Sequence, residues 1–281
     1  MKAIKALITC FILLCSVVVA NAQSWAWAKA ITGLDSLEVR DFKMDANGDL
    51  VILGYHVNQI TFDSQSKAPF GKKDMYLIKV DQNGNLKWIQ NAGSNDVEDP
   101  FAIGFDTDNN IYVGGGFRNT MVFSADVSIT SSGAQDAFLA KYNSSGRVLW
   151  AKKIAYGTLG ERIHSMAISS NNEIYMCGML KSSPTTIGSF LLNVSAGGED
   201  EWIAKADTSG NISWVKQLTA IGIPGSTSIN LNILRNISVD QDGLLYVSGT
   251  LWGQLTYGSQ SFSSRGYGDV VLFHVVQFRH Q

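Results

Sequence analysis

Four stretches of the sequence carry oxygen ligands at every second residue: Asp45-x-Asn47-x-Asp49, Asp81-x-Asn83-x-Asn85, Asp106-x-Asp108-x-Asn110 and Asp240-x-Asp242. This is the spacing of the first half of a calcium loop. The distal bidentate Glu is absent at the expected offset in each, and apolar sequence follows at once. Asp-x-Asn-Gly and Asp-x-Asp-Gly also make tight turns, because Gly and Asn tolerate positive φ and the Asp carboxylate accepts backbone N–H groups. The expectation is therefore structural turns. Calcium is the alternative, at Asp45, Asn47, Asp49, Asp106, Asp108, Asp240 and Asp242.

Other reactive side chains form no recognisable constellation. His56, His164, His274 and His280 have no zinc-ligand spacing, and there is no His-Glu-x-x-His. There is no Gly-x-Ser-x-Gly elbow. No pair of carboxylates comes with a supporting His, Arg or Tyr at a recognisable spacing. Cys177, between Met176 and Gly178, reads as a small buried hydrophobe. No catalytic residue, metal or cofactor is assigned.

The start of the chain bears on location. Lys2 and Lys5 precede an apolar run, Ala6 to Ala20, and Ala20-Asn21-Ala22 has the small-x-small form of a cleavage site. Residues 1–22 are expected to be a secretory signal peptide and 23–281 the exported domain, periplasmic, on the cell surface or released. The apolar run is short for a membrane span, so no transmembrane segment is expected in the mature chain. Lys2 and Lys5 leave with the leader, making the rest slightly more acidic than the formal charge of −2 for the whole chain. With no basic block, nucleic acid is not an expected partner. Cys10 and Cys15 lie in the leader, so Cys177 has no disulfide partner. The core alone must hold the fold, and 45% of the chain is hydrophobic.

The strongest pattern is a repeat. Four segments align without gaps: Asp45–Gly54, Asp106–Gly115, Ser169–Gly178 and Asp240–Gly249. Each is a turn followed by an apolar run ending in Gly. A second block follows each, at Gly71–Lys79, Gly133–Lys141, Gly197–Lys205 and Gly266–His274. It opens with Asp74, Asp136, Asp200 or Asp269, which should accept turn N–H groups. A third block, Gly-x-x-x-Trp, ends at Trp88, Trp150 and Trp214. Each block reads as strand and turn, giving four antiparallel strands per unit of roughly 62 residues. Lys79, Lys141 and Lys205 fall on the opposite face from Tyr76, Phe138 and Trp202, where a blade-to-blade ion pair or a snorkelling edge is expected. The recurring Trp residues are expected in the core, and Trp252, which breaks the pattern, exposed.

Residues 133–152, with Gly-x-x-Asp-Ala-Phe-Leu-Ala-Lys followed by Ser-Gly-Arg-Val-Leu-Trp-Ala-Lys, resemble the bacterial SBBP-type β-propeller repeat of exported proteins. Asp-x-x-Asn-x-Ile-Tyr-Val-x-Gly at 106–115 resembles its other half. The resemblance covers essentially the whole mature chain. It implies an all-β propeller of four-stranded antiparallel blades and an extracellular or surface role. The family has no shared catalytic residues to carry over. The last copy departs from the pattern, with His274 in place of Lys and no Gly-x-x-x-Trp strand after it.

Four blades are expected, at about 37–92, 97–155, 160–219 and 232–281. Residues 25–31, which match 148–154 in pattern, are expected to pair antiparallel with 269–276 as the outer strand of blade four. That would close the ring and give a monomer; the rival expectation is a fragment of a longer array, in which this strand hangs free or pairs with another chain and the molecule is an open arc or an oligomer. Long connections gather at one end, within blades at 57–73, 118–135, 181–199 and 252–268. Glu38, Glu98, Asp99, Glu161 and Arg162 stand just before first strands, at the expected mouth of the central channel. An acidic mouth could hold a cation or a basic group. The functional expectation is a non-enzymatic exported scaffold binding an unknown protein or glycan at the long-loop face. The alternative is a glycan-active hydrolase or lyase, or a quinone-dependent dehydrogenase, on the same scaffold.

Overall fold

The structure, a computed structural model, describes residues 26–194, 199–221, 233–265 and 268–275. The expected signal peptide at 1–22 and the tail beyond 275 lie outside the described residues, as does most of the 219–233 connection. All regular structure among the described residues is β, and no helix there is long and apolar enough to cross a membrane.

The strands repeat as the sequence does. A short strand β1 (Ile31–Gly33) comes first. Repeat one holds β2 (Leu37–Met44), β3 (Leu50–His56), β4 (Ile60–Phe62), β5 (Gln65–Lys67), β6 (Asp74–Val80) and β7 (Leu86–Ala92). Repeat two holds β8 (Asp99–Phe105), β9 (Ile111–Phe117), β10 (Thr120–Val122), β11 (Ser128–Thr130), β12 (Asp136–Tyr142) and β13 (Val148–Tyr156). Repeat three holds β14 (Arg162–Ile168), β15 (Ile174–Leu180), β16 (Thr185–Ile187), β17 (Phe190–Leu192), β18 (Asp200–Ala206) and β19 (Ile212–Ile221). Repeat four ends the described chain with β20 (Ile233–Val239), β21 (Leu245–Leu251), β22 (Gln254–Tyr257), β23 (Gln260–Ser263) and β24 (Asp269–Val275).

Four strands of each repeat form an antiparallel module: β2-β3-β6-β7, β8-β9-β12-β13, β14-β15-β18-β19, and in repeat four β20-β21-β24. The long connections are not loops. Each carries a small hairpin that lies on the outer strand of the preceding module. The hairpin β16-β17 continues the sheet from β13, and β22-β23 continues it from β19. A bridge from Gly93 to Val122 brings β10-β11 beside β7 in the same way. Neighbouring repeats are therefore stitched by backbone hydrogen bonds as well as by packing.

The core lies between modules. Val51, Leu53, Met75 and Leu77 of the first pack with Ile103, Ile111 and Val113 of the second, and the same contact recurs at the next two junctions. Strands β6, β9 and β15 are buried along their whole length because both faces meet another sheet. Each large aliphatic side chain so buried contributes about 1.5–3 kcal/mol.

The recurring Trp residues are half-buried and cross from one repeat to the next. A Cβ placed on Gly84, Gly146 or Gly210 would lie 2.7, 2.7 or 2.9 Å from Trp27, Trp88 or Trp150. These glycines have φ of +78°, +84° and +78°, so a side chain is excluded both by backbone conformation and by the indole. The Trp27 and Trp88 Nε1–H groups donate to the carbonyls of Gln82 and Ser144 at 3.0 and 3.2 Å. Trp252, expected to be exposed, is half-buried against Gly268.

The N-terminal segment thus behaves as the Trp strand of a module preceding the first. Its expected pairing with 269–276 is not formed among the described residues. Ile31–Gly33 pair instead with Ile60–Phe62, as the end of β13 pairs with β16. Strand β24 pairs with β21 on one edge only. First strands pack in succession, β2 on β8, β8 on β14 and β14 on β20, and no comparable packing joins β20 to β2. The described residues therefore form an open series of modules. The β1–β4 pairing does not itself preclude the pairing with 269–276, since β13 pairs with β12 along its length and with β16 at its end.

Candidate functional site

Two polar regions were candidates, the acidic turns and the ends of the first strands. In the turns, the leading carboxylate closes its own loop. Asp45 Oδ1 accepts from the Asn47 and Asp49 N–H groups at 2.9 and 3.0 Å. Asp106 does the same for Asp108 and Asn110, and Asp240 for Asp242 and Leu244. In the first turn a lysine sits on the carboxylates. Lys79 Nζ lies 2.6 Å from Asp45 Oδ2 and 3.3 Å from Asp49 Oδ2, in a pocket where all three side chains are at most 5% exposed. Burial alone would raise the Asp45 carboxyl, but Lys79 and the turn N–H groups hold it below its ordinary value.

The equivalent lysines repeat the arrangement. Lys141 reaches Asp106 at 3.1 Å. In repeat three Ser169 replaces the Asp, and Glu173 supplies the carboxylate to Lys205 at 2.5 Å. Lys141 and Lys205 also lie 5.0 and 5.8 Å from the ring centres of Tyr112 and Tyr175. In repeat four His274 stands in the lysine's place and stacks on Tyr246, with ring centres 5.2 Å apart. The expected blade-to-blade ion pair is instead a pair within one module, because the first turn and the third strand belong to the same sheet.

The first-strand residues separate into two sets. Glu98 and Glu161 are fully buried and cap loops. Glu98 accepts from the Ser94 N–H and hydroxyl at 3.1 and 2.6 Å. Its carboxyl is pushed up to about 8 by burial, then by the charge of Asp74. Glu161 accepts from the Ser182 N–H at 2.9 Å, and burial raises it too. Both are structural.

Glu38 is exposed, and Asp99 and Arg162 are only partly buried. Glu38 pairs with Arg40 at 2.9 Å and accepts from the Tyr55 hydroxyl at 2.6 Å. Asp99 pairs with Lys73 and accepts from Gln135 at 3.3 Å. Burial opposes ionisation of Asp99, but Lys73 outweighs it and lowers its pKa. Arg162 reaches Met179 Sδ at 3.9 Å, and its buried Nε finds no partner among the described residues.

A row that sequence reasoning missed runs across these strands. Arg40, Phe101, His164 and Arg235 occupy the same position in β2, β8, β14 and β20, five residues before the turn-opening Asp or Ser. The Arg40 guanidinium lies 5.2 Å from the Phe101 ring centre, and Phe101 meets His164 edge-on at 5.7 Å. His164 donates its Nδ1 proton to the Leu234 carbonyl at 3.2 Å. Burial, then the charges of Arg162 and Arg235, push its pKa down to about 3, so it is neutral. Glu201 accepts from the Leu234 N–H at 3.1 Å, and burial above all raises its pKa. The mouth was expected to be acidic. Its surface charges include Arg40, Lys73, Arg162 and Arg235 beside Glu38 and Asp99, while burial raises the pKa of Glu98, Glu161 and Glu201.

No known family model matches the chain. It is 21% identical over 182 residues to an uncharacterised WD-repeat-containing protein of Acanthamoeba polyphaga mimivirus, covering 54% of this chain and 13% of that protein. It is 25% identical over 145 residues to the regulatory protein FlaEY of Caulobacter vibrioides, covering 50% of this chain and 15% of that protein. The matches span about one-seventh of the length of those relatives. Among solved structures, a protein of unknown function from Bacteroides caccae aligns with TM-score 0.34 and 11% identity, over 75% of this chain and 70% of that one. An inactive virginiamycin B lyase variant from Staphylococcus aureus, with quinupristin, aligns with TM-score 0.35 and 10% identity, over 89% and 74%.

Proposed function

We propose that the protein is an exported, non-enzymatic β-propeller scaffold of the SBBP type, whose modules are its blades, and that it binds acidic glycans across its first strands. One observation carries this reading: the file of Arg40, Phe101, His164 and Arg235 at one position of the first strands of four successive modules. Guanidinium groups bind carboxylates and sulfates through forked hydrogen bonds. The Phe101 face between them suits the apolar side of a sugar ring. His164, neutral and half-buried, fixes the spacing between the two arginines rather than adding charge.

The test is calorimetric binding of uronate-containing and neutral oligosaccharides of equal length, together with a glycan array. Uronates should bind and neutral sugars should not. Arg235→Ala, at an exposed position, should weaken uronate binding about tenfold or more, the scale of one lost charge-assisted contact. Equal affinity for both sugars would overturn the charge argument. Turnover of any substrate in a parallel hydrolase and lyase panel would replace the scaffold with an enzyme.

A further inference from the structure

The two ends of the module series expose surfaces that every internal junction buries. Inside the series, Ile103, Met166 and Ile237 of successive first strands press on the module before them and are 0%, 2% and 6% exposed. Their counterpart on the first module, Phe42, is 64% exposed, with Met44 beside it at 67%. The opposite half of each junction is made by residues such as Met75 and Leu77, or Ala137 and Leu139, all fully buried. Their counterparts on the fourth module, Val270 and Leu272, are 84% and 70% exposed. The series thus ends in the two complementary halves of its own internal junction.

The backbone tells the same story. Among the described residues, strand β24 has no partner on its outer edge, where β7, β13 and β19 cover the third strand of the other modules. Beside that edge lies a cavity of about 330 Å³ lined by Leu218, Leu255, Phe262, Phe273 and Val275. At the other end, residues 26–30 form no ladder. They are fixed on the first module by Trp27 on Gln82, by Lys29 on Asp63 at 2.9 Å and by the β1–β4 pairing that follows. A ready-made outer strand therefore stands on the flank of module one, away from the module that lacks it.

We infer that the occupant of the fourth module's face is a second copy of this chain, docked through its first module. Its residues 26–30 pair with β24. The register follows from the other modules, where Lys79 faces Trp88, Lys141 faces Trp150 and Lys205 faces Trp214. His274 then faces the partner's Trp27, and Leu272 faces the partner's Lys29. The same junction formed twice joins two four-module series into a closed ring of eight, within the usual range of propellers. A head-to-tail interface must close in this way or grow without limit. Both unpaired edges disappear on closure.

The experiment uses cysteine pairs in a chain carrying Cys10→Ser and Cys15→Ser, which leaves the fully buried Cys177 as its other thiol. Lys29→Cys in one preparation and Leu272→Cys in another are mixed and oxidised. Covalent dimers should form, and the chain carrying both substitutions should also run at twice the monomer mass. Light scattering of the unsubstituted chain should give a dimer, and Leu272→Asp should give a monomer with unchanged circular dichroism. A doubly substituted chain that cross-links only within itself would overturn the inference in favour of closure by one copy. A monomer by light scattering, with no cross-link, would overturn it as well.

Discussion

Replacing Lys79 by Met keeps most of the side-chain volume and removes the charge from the most deeply buried ion cluster. Asp45 and Asp49 would be left facing each other, their side chains 0% and 5% exposed. Removing one partner of a buried pair costs about 3–5 kcal/mol. Here Lys87 remains on Asp49 at 2.5 Å and the turn N–H groups remain on Asp45, so a cost somewhat below that range, about 2–4 kcal/mol, is expected. For a domain of this size that is roughly 5–15 °C in Tm. Lys205→Met is the internal control. It occupies the same repeat position, but Lys205 and Glu173 are 21% and 35% exposed, and such pairs contribute about 0–1 kcal/mol. Acid should narrow the gap for Lys79→Met. In the parent, Asp45 has a depressed pKa, so its contribution is present above the unfolded value of about 3.9 and is lost as pH falls through the native value. In the variant, burial acts on Asp45 without Lys79, and protonation relieves the cost. Urea melts of parent and both variants between about pH 7 and pH 4 measure this. Equal losses for Lys79→Met and Lys205→Met, or a gap that does not narrow, would refute the burial argument.

Glu98→Gln should flatten the pH dependence of stability. Glu98 stays protonated in the fold to about 8 but ionises in the unfolded chain near 4.3, so stability falls with rising pH across that window, on the order of 1 kcal/mol per unit. An unchanged slope in the Gln variant would sink the assignment. Gly146→Ala must both adopt φ +84° and displace Trp88, whereas at Gly243, φ +81°, an added Cβ meets open space. Thermal melts should show Gly146→Ala losing about 1–2 kcal/mol more than Gly243→Ala. Calcium should leave Tm unchanged against a chelator control, since Lys79 and Lys141 already sit on the turn carboxylates. A rise of several degrees with calcium would show a site that competes with them.

Much of the fold is legible in sequence because its signals are local. The Asp-x-x-Gly and Asp-x-x-Asn turns and the alternating apolar runs lie within a few residues of one another, and four copies fix their phase. The hairpins in the long connections escaped because strands of three or four residues, such as Ile60–Phe62 and Thr185–Ile187, carry too little periodicity to read. Their partners lie in the preceding module. Trp88 on Gly146 and Trp27 on Gly84 were invisible for the same reason, although a Gly four residues before Trp88, Trp150 and Trp214 was the available hint. At the mouth, Glu98 and Glu161 look like exposed loop acids in sequence. Only the fold reveals that Ser94 and Ser182 turn back to be capped by them. The row from Arg40 to Arg235 could have been found by aligning the strands before the turns, where four unlike residues share a column.

The hairpins resting on the preceding module also set an order of events. A chain that emerges N-terminus first can form β8, β9, β12 and β13 while β16-β17 is still unmade, and the edge of β13 then stays bare until the next repeat arrives. Each of the first three modules is finished by its successor, so folding should trail synthesis by one repeat. A nick in a connection would damage two modules rather than one, removing the cover of the first along with the entry to the second. Such a chain trades the independence of separate beads for cooperativity along its length.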